Sequence, residues 1–466
     1  MSRLLACPGS VMALVAAPVL ALVCSCGPAP SEPALPSETA AAPKPNLLVI
    51  SIDTLRADRL GCYGYGRPTS PQIDRLAAEA CVFDAAQSAS SWTLPSMSTL
   101  MTGLSASTHR CTQLSSRLDP SQITLAEMLR DNGYDTAIVA SHIFITTSFG
   151  LQQGYTHVDT SVVQDEQDIT SHEVADRGIE WVTEQARALS RPTVQGLAAD
   201  HRRAPWMLWL HFFDPHAPYL VHPGISEAFG TESDAERYDG EIAYTDLHVG
   251  RLLDALRASP DWNNTIIVIV ADHGEEFGEH GHHGHGYSLH EECVRVPLIV
   301  RVPGLAARRV LEPVPTIDLV PTLLELTGTK WTHELPGLSL VPALSTGQQV
   351  PRRALSEVSW QARQDIRCVQ AEGWKYFDFH LGEYDAELLF DKADDRAEHG
   401  NAFDAQPERG AQLREQLELE LGRARRLSGG YRHQRPGALS PAEEARLSQL
   451  GYSGDESSGG VPKEKK

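Results

Sequence analysis

The chain has no excess of basic residues. Lys and Arg number 40 against 61 Asp and Glu, for a formal charge of −21. That balance argues against a nucleic-acid or polybasic membrane-binding surface. It leaves room for a small anionic substrate in a locally positive site. Cysteine is scarce: of eight, Cys7, Cys24 and Cys26 fall at the N-terminus, and Cys62, Cys81, Cys111, Cys293 and Cys368 are scattered. No Cys-x-x-Cys pair occurs, which argues against a cysteine zinc site. One or two disulfides stay open for an oxidising compartment. The N-terminal apolar run, Val11 to Val23, is short for a membrane span. It follows a single Arg and ends in small residues and Cys, the pattern of an export signal. There are no internal repeats.

What is present divides the chain into segments. Val23-Cys24-Ser25-Cys26 resembles a bacterial lipoprotein cleavage box with Cys26 as the lipidated residue. An ordinary cleaved signal or a retained anchor stays open beside it. Residues 1–26 are thus expected to be a signal, and the Pro/Ala/Ser-rich residues 27–45 a disordered tether. The expected location is the cell envelope, periplasm or cell surface, with membrane attachment through the N-terminal lipid.

From residue 46, apolar strand-like runs alternate with amphipathic helical patterns. Asn46 to Ile52, Tyr134 to Ala140, Trp206 to Phe213 and Thr265 to Ala271 read as buried parallel strands. Ile73 to Ala80, Thr124 to Arg130 and Ala243 to Ala258 read as helices. The alternation predicts a doubly wound α/β sheet over residues 46–350. Three strands end in a carboxylate, Asp53, Asp214 and Asp272, at the sheet edge where open α/β folds bind ligands. From 351 to 425 the pattern changes to β-rich alternation and one charged helix, a smaller α+β subdomain. Residues 426–466 read as a mostly disordered tail with one helix capped by Ser440.

The stretch SSWTLPSMSTLMTG, Ser90 to Gly103, reads as a turn entering a helix, with Pro95 in its first turn and Gly103 as its stop. Thr93 is then either a cap or a nucleophile placed at a helix N-terminus, where backbone N–H groups favour an anion.

Several blocks together resemble the sulfatase family of the alkaline-phosphatase superfamily. They are NLLVISIDTLRADRLGCYG (46–64), SWTLPSMSTLMTG, TLAEMLRDNGYDTAIVAS, HFFDPHAPY, IIVIVADHGEEFGEHG and HEECVRVPLIV, in the family's order. The resemblance implies an α/β/α sandwich and a metal-dependent hydrolase of sulfuric or phosphoric esters. It places Thr93 where the family carries the Cys or Ser converted to formylglycine, so no formylglycine is expected. Met97 stands for the motif's Arg, Thr54 for the second Asp of a pair, and Ala140-Ser141-His142-Ile143 where a Lys and a His contact sulfate. These departures resemble superfamily branches that use an unmodified Thr on phosphorus, and phosphoester chemistry is favoured. Asp53, Asp272 and His273, with Thr93, are the implied ligands of one divalent ion: Mn, Zn, Mg or Ca. Asp214, His216 and His285 are a possible second set. His216 and His285 otherwise serve as anion-binding or proton-transferring groups, with Arg56 as a substrate contact. The remaining His of the run 279–286 are expected to be solvated. The implied partner is a small anionic ester, a sulfated or phosphorylated glycan or a lipid headgroup. A phospho-headgroup transferase and an inactive glycan-binding lipoprotein are the alternatives.

Overall fold

Nine strands build the central sheet of a computed structural model, which describes residues 43–114, 116–162, 170–189, 204–348, 351–360, 364–432 and 439–449. The signal, Cys26, most of the tether and much of the tail lie outside the described residues. The strands are β1 (Asn46–Ile52), β2 (Cys81–Gln87), β3 (Asp135–Ala140), β4 (His157–Asp159), β5 (Trp206–Phe212) and β6 (Thr265–Ala271). A short hairpin, β7 (Glu276–Phe277) and β8 (His283–Gly284), stands apart from the sheet. Then follow β9 (Arg295–Arg301), β10 (Arg308–Val310) and β11 (Val314–Pro315). The spatial order is β10-β2-β9-β6-β1-β5-β3-β4, with β11 also on β2. Every residue of β1, β5 and β6 is buried on both faces, so both sides of the sheet are covered.

The helices are α1 (Pro71–Ala77), α2 (Thr93–Thr102), α3 (Ala106–His109), α4 (Leu125–Asp131), α5 (Ser171–Leu189), α6 (Asp234–Arg257), α7 (Glu291–Val294), α8 (Leu319–Leu326), α9 (Val341–Thr346), α10 (Pro407–Ser428) and α11 (Pro441–Gln449). Helix α6 starts nine residues before the expected Ala243. A capping box supplies that start: Ser233 Oγ accepts from Glu236 N, and the Glu236 carboxylate accepts from Ser233 N. Helix α5 lies beyond the helices expected from sequence and packs on α6 and β5. The one departure from parallel strands is β9, antiparallel to both β2 and β6.

The C-terminal sheet is an antiparallel meander, β12 (Ala354–Trp360), β13 (Gln364–Ala371), β14 (Trp374–Leu381) and β15 (Tyr384–Asp391). Helix α10 lays Leu413, Leu417 and Leu421 against Val369, Tyr376 and Leu389. This α+β arrangement matches the expectation for 351–425, although the described residues from Lys44 onward cluster as one compact unit. The disulfide expectation is corrected: Cys62, Cys81, Cys111, Cys293 and Cys368 are all free thiols.

Candidate active site

The register of the sheet creates the site. β1 pairs Ile52 with Ala271 of β6, so Asp53 and Asp272 leave the sheet side by side. Ser51 pairs with His211 of β5, and Ala140 of β3 pairs with His211 from the other side. Helix α2 begins at Thr93, with Trp92 as its N-cap residue and no side-chain cap. The Thr93 hydroxyl therefore does not cap the helix. It lies 3.2 Å from His273 Nε2, fully buried. Gly103 closes the helix in the left-handed conformation at φ 68°, and a Cβ there would meet Val320 at 2.9 Å. Met97, in place of an Arg, is wholly buried in the core.

Asp53, Asp272 and His273 present ligand atoms within 4.8 Å of one another, all three buried. His273 Nε2 is 3.5 Å from both Asp53 Oδ1 and Asp272 Oδ2. Both Asp53 oxygens and Asp272 Oδ2 lack a well-formed hydrogen bond. Burial, then the Asp272 and Glu275 carboxylates, pushes Asp53 well above the usual carboxylate range. Burial likewise pushes Asp272 up to about 6. Orphaned carboxylate oxygens beside a bare imidazole nitrogen fit a divalent cation.

The imidazoles sort by which nitrogen carries the proton. His273 Nδ1 donates to the Gly274 carbonyl at 2.9 Å, leaving Nε2 with a lone pair. His216 Nδ1 donates to the Ala217 carbonyl at 2.6 Å, leaving Nε2 bare as well. His285 Nδ1 donates to Glu275 Oε1 at 2.9 Å, so its ring is held by that carboxylate. The His285 ring lies 4.9 Å from that of His216 and 4.5 Å from that of His273. Burial holds His216 and His273 down to about 3, so both are neutral. Burial would raise Glu275, but His285, His216 and His273 together bring it below the ordinary carboxylate value.

Two expected contacts are corrected. The Arg56 guanidinium is spent within the protein: Nε and Nη2 donate to Asp58 at 2.9 and 2.8 Å, and Nη1 donates to Glu279 at 2.6 Å and to the Glu275 carbonyl at 2.9 Å. It clasps the loop after β1 to the loop after β6 and offers no open donor fork to a substrate. The Asp214 carboxylate accepts from Ser171 N at 2.7 Å and Thr170 N at 3.2 Å at the start of α5. That carboxylate does not converge with His216 and His285. Among the described residues, the possible ion-holding group of acidic, His or Cys side chains is the Asp53 set.

Three participants lie outside the sequence-based list. Glu275 sits in an acidic, Gly-rich run that looks solvated, yet it is fully buried. His142 and His211 are buried with Nε2 at 3.6 and 3.5 Å from Asp53 Oδ2. A signal for His211 was its place inside an apolar strand, opposite the strand that ends at Asp53. Of the other His in the loop, His283 is exposed as expected, whereas His280 is half-buried, pairing with Glu292 at 3.3 Å and stacking on His290 at 3.6 Å, and His282 is half-buried too.

The sulfatase family model matches residues 45–329. The chain belongs to the sulfatase family. It is accordingly a hydrolase acting on sulfate or phosphate esters. A second model, that of the N-sulphoglucosamine sulphohydrolase C-terminal region, matches residues 278–426. A delta 4,5-hexuronate-2-O-sulfatase of Bacteroides thetaiotaomicron is 26% identical, covering 77% of this chain and 84% of its own. A choline-sulfatase of Rhizobium meliloti is also 26% identical, covering 77% and 82%. Among solved structures, one in complex with its substrate D-glucosamine-2-N,6-O-disulfate aligns with a TM-score of 0.69 at 18% identity, over 82% of this chain and 98% of that one. The phosphonate monoester hydrolase of Agrobacterium radiobacter aligns with a TM-score of 0.66 at 20% identity, over 85% and 100%. These likenesses carry the α/β fold with its C-terminal antiparallel sheet.

Proposed function

We propose that this sulfatase-family hydrolase cleaves an anionic phosphoester or phosphonate ester, with Thr93 as its nucleophile. The observation that carries the reading is the Thr93 hydroxyl, buried at the start of α2 and directed at His273 beside three orphaned carboxylate oxygens. A threonine cannot supply formylglycine, so the sulfate route of the family is closed at this position.

Asp53, Asp272 and His273 would hold one divalent cation, which when bound lowers the pKa of a neighbouring hydroxyl and offsets the charge of the anion. Thr93 Oγ1 forms a bond to phosphorus and the bond from phosphorus to the leaving oxygen breaks. The proton lost by Thr93 passes through the imidazole of His216, whose Nε2 is bare, or of His285 to the departing alcohol. Water then attacks the Thr93 ester and gives its proton to the same imidazole, which returns it to Thr93 Oγ1 as the phosphorus–Oγ1 bond breaks. Glu275, holding His285 Nδ1, keeps that ring in the accepting tautomer and stabilises it once protonated. The ester group would be carried by a glycan or a lipid headgroup, in keeping with relatives named for sulfated sugars and a phosphonate monoester. The N-terminal sequence supports export and a lipid anchor at Cys26.

The test is turnover of nitrophenyl phosphodiesters, phosphonate monoesters and sulfates with Mn, Zn, Mg or Ca, comparing wild type with Thr93→Ala. Phosphoester turnover that falls at least a thousandfold in Thr93→Ala supports the reading. Turnover that survives the substitution removes Thr93 from the chemistry.

A further inference from the structure

His142 and His211 turn Nε2 inward like His273 and His216, but differ from them in carrying the proton on that nitrogen. His142 Nδ1 accepts the Phe144 backbone N–H at 3.1 Å. An accepting Nδ1 carries no proton, so the ring is neutral and its one proton is on Nε2. His211 reaches the same state by a relay. The Trp209 indole N–H, which can only donate, gives its hydrogen to Ser51 Oγ at 2.8 Å. The Ser51 hydrogen then has two acceptors, His211 Nδ1 at 2.9 Å and the Leu210 carbonyl at 3.4 Å. The shorter contact takes it, and His211 keeps its own proton on Nε2.

Both Nε2 atoms are buried, and neither makes a hydrogen bond. Both converge on one oxygen, Asp53 Oδ2, at 3.6 and 3.5 Å. The other oxygen, Oδ1, faces the bare Nε2 of His273 at 3.5 Å. The two sides of this carboxylate thus meet opposite hydrogen-bond characters: two donors on one oxygen, a lone pair on the other.

We propose that His142 and His211 are positioning residues that hold Asp53 Oδ2 between two imidazole N–H groups and so aim Oδ1 at the cation. The Trp209–Ser51 relay sets the tautomer of His211. This inference rests on the reading that Asp53, Asp272 and His273 hold a divalent ion. Groups behind a ligand commonly change metal affinity about 10- to 100-fold when removed.

The experiment measures the dissociation constant of Mn²⁺ alone, by chelator competition, on the full-length protein. His211→Leu weakens Mn²⁺ about 10- to 100-fold. His211→Gln, whose amide N–H reaches the Nε2 position, restores affinity to within a few-fold. Ser51→Ala, a small change remote from the ion, weakens it less than His211→Leu, by freeing the ring to flip its tautomer. Thermal unfolding of each variant identifies any that fail to fold, and Ser51→Ala then carries the test. Wild-type affinity in both His211→Leu and Ser51→Ala overturns the inference. So does unchanged affinity with a raised KM in His211→Leu, which would make the ring a substrate contact. Asp272→Asn is the separate control: Mn²⁺ binding as tight in it as in wild type overturns the ion-binding reading itself.

Discussion

At the scale of single residues, the site divides its work by proton placement. Asp53, Asp272 and His273 were legible in the sequence because each stands directly after an apolar strand-forming run. Glu275 was not, since an acidic residue among glycines gives no hint of burial. The structure buries it because Gly274 lets the loop approach α7: Gly274 N donates to the Cys293 carbonyl at 2.7 Å, and a Cβ there would lie 2.0 Å from the Glu292 carbonyl oxygen. Glu275 then accepts from His285 at 2.9 Å. Glu275→Gln removes the charge that favours a protonated His285 and permits the amide to present its N–H instead, reversing the ring's tautomer. The expected result is a loss of kcat on the order of 10²- to 10⁴-fold, the span of one proton-transfer group, with Mn²⁺ content unchanged by metal analysis. A variant with wild-type kcat would remove the pair from the proton path.

At the scale of elements, the C-terminal sheet reaches the catalytic loops through buried charge. Lys375 of β14 is wholly buried, 3.0 Å from Glu398 and 3.2 Å from Glu291 of α7. Glu398 also accepts from His290 Nδ1 at 2.9 Å and Glu291 N at 3.2 Å. The carbonyls of Glu292 and Cys293 in α7 in turn hold Glu275 N and Gly274 N. None of this was legible in the sequence: the strands of 351–425 showed their alternation, but a lysine inside a β-rich segment reads as a solvent-facing residue. Burial would raise the Glu398 carboxyl, yet Lys375, His290 and Lys392 bring it well below the ordinary value. A carboxyl whose pKa falls on folding stabilises fully above its unfolded value near 4.3 and loses that contribution as pH falls through the folded value. Glu398→Gln leaves Lys375 short of a partner and costs about 3 kcal/mol at pH 7. The gap in melting temperature between wild type and Glu398→Gln is therefore widest at neutral pH and narrows below about pH 4. Calorimetry at pH 7 and pH 3 checks this; a gap that widens in acid would contradict the pairing.

At the scale of the whole molecule, the parallel core was legible because strands buried on both faces are continuous apolar runs. The reversal of β9 was not, because an apolar run carries no direction. Its place between β2 and β6 matters: β2 leads into α2 with Thr93, and Asp272 directly follows β6. Residues from separate elements thus converge at the cluster of Asp53, Asp272, His273 and Thr93, where the carboxylates repel one another. A cation bound there ties β1, β6 and the start of α2 together in the native state alone. A ligand that binds only the folded form at about 100 times its Kd adds ~2.7 kcal/mol. With an unfolding entropy of about 2.1 cal/mol/K per residue, that is a rise in melting temperature of about 3 °C for a unit of this size. Chelation of purified protein should lower the melting temperature by that amount, Mn²⁺ should restore it in proportion to the logarithm of its concentration, and Asp272→Asn should show neither effect. Scanning calorimetry reads all three, and a wild-type transition indifferent to chelator would mean that the four residues assemble without a cation to hold.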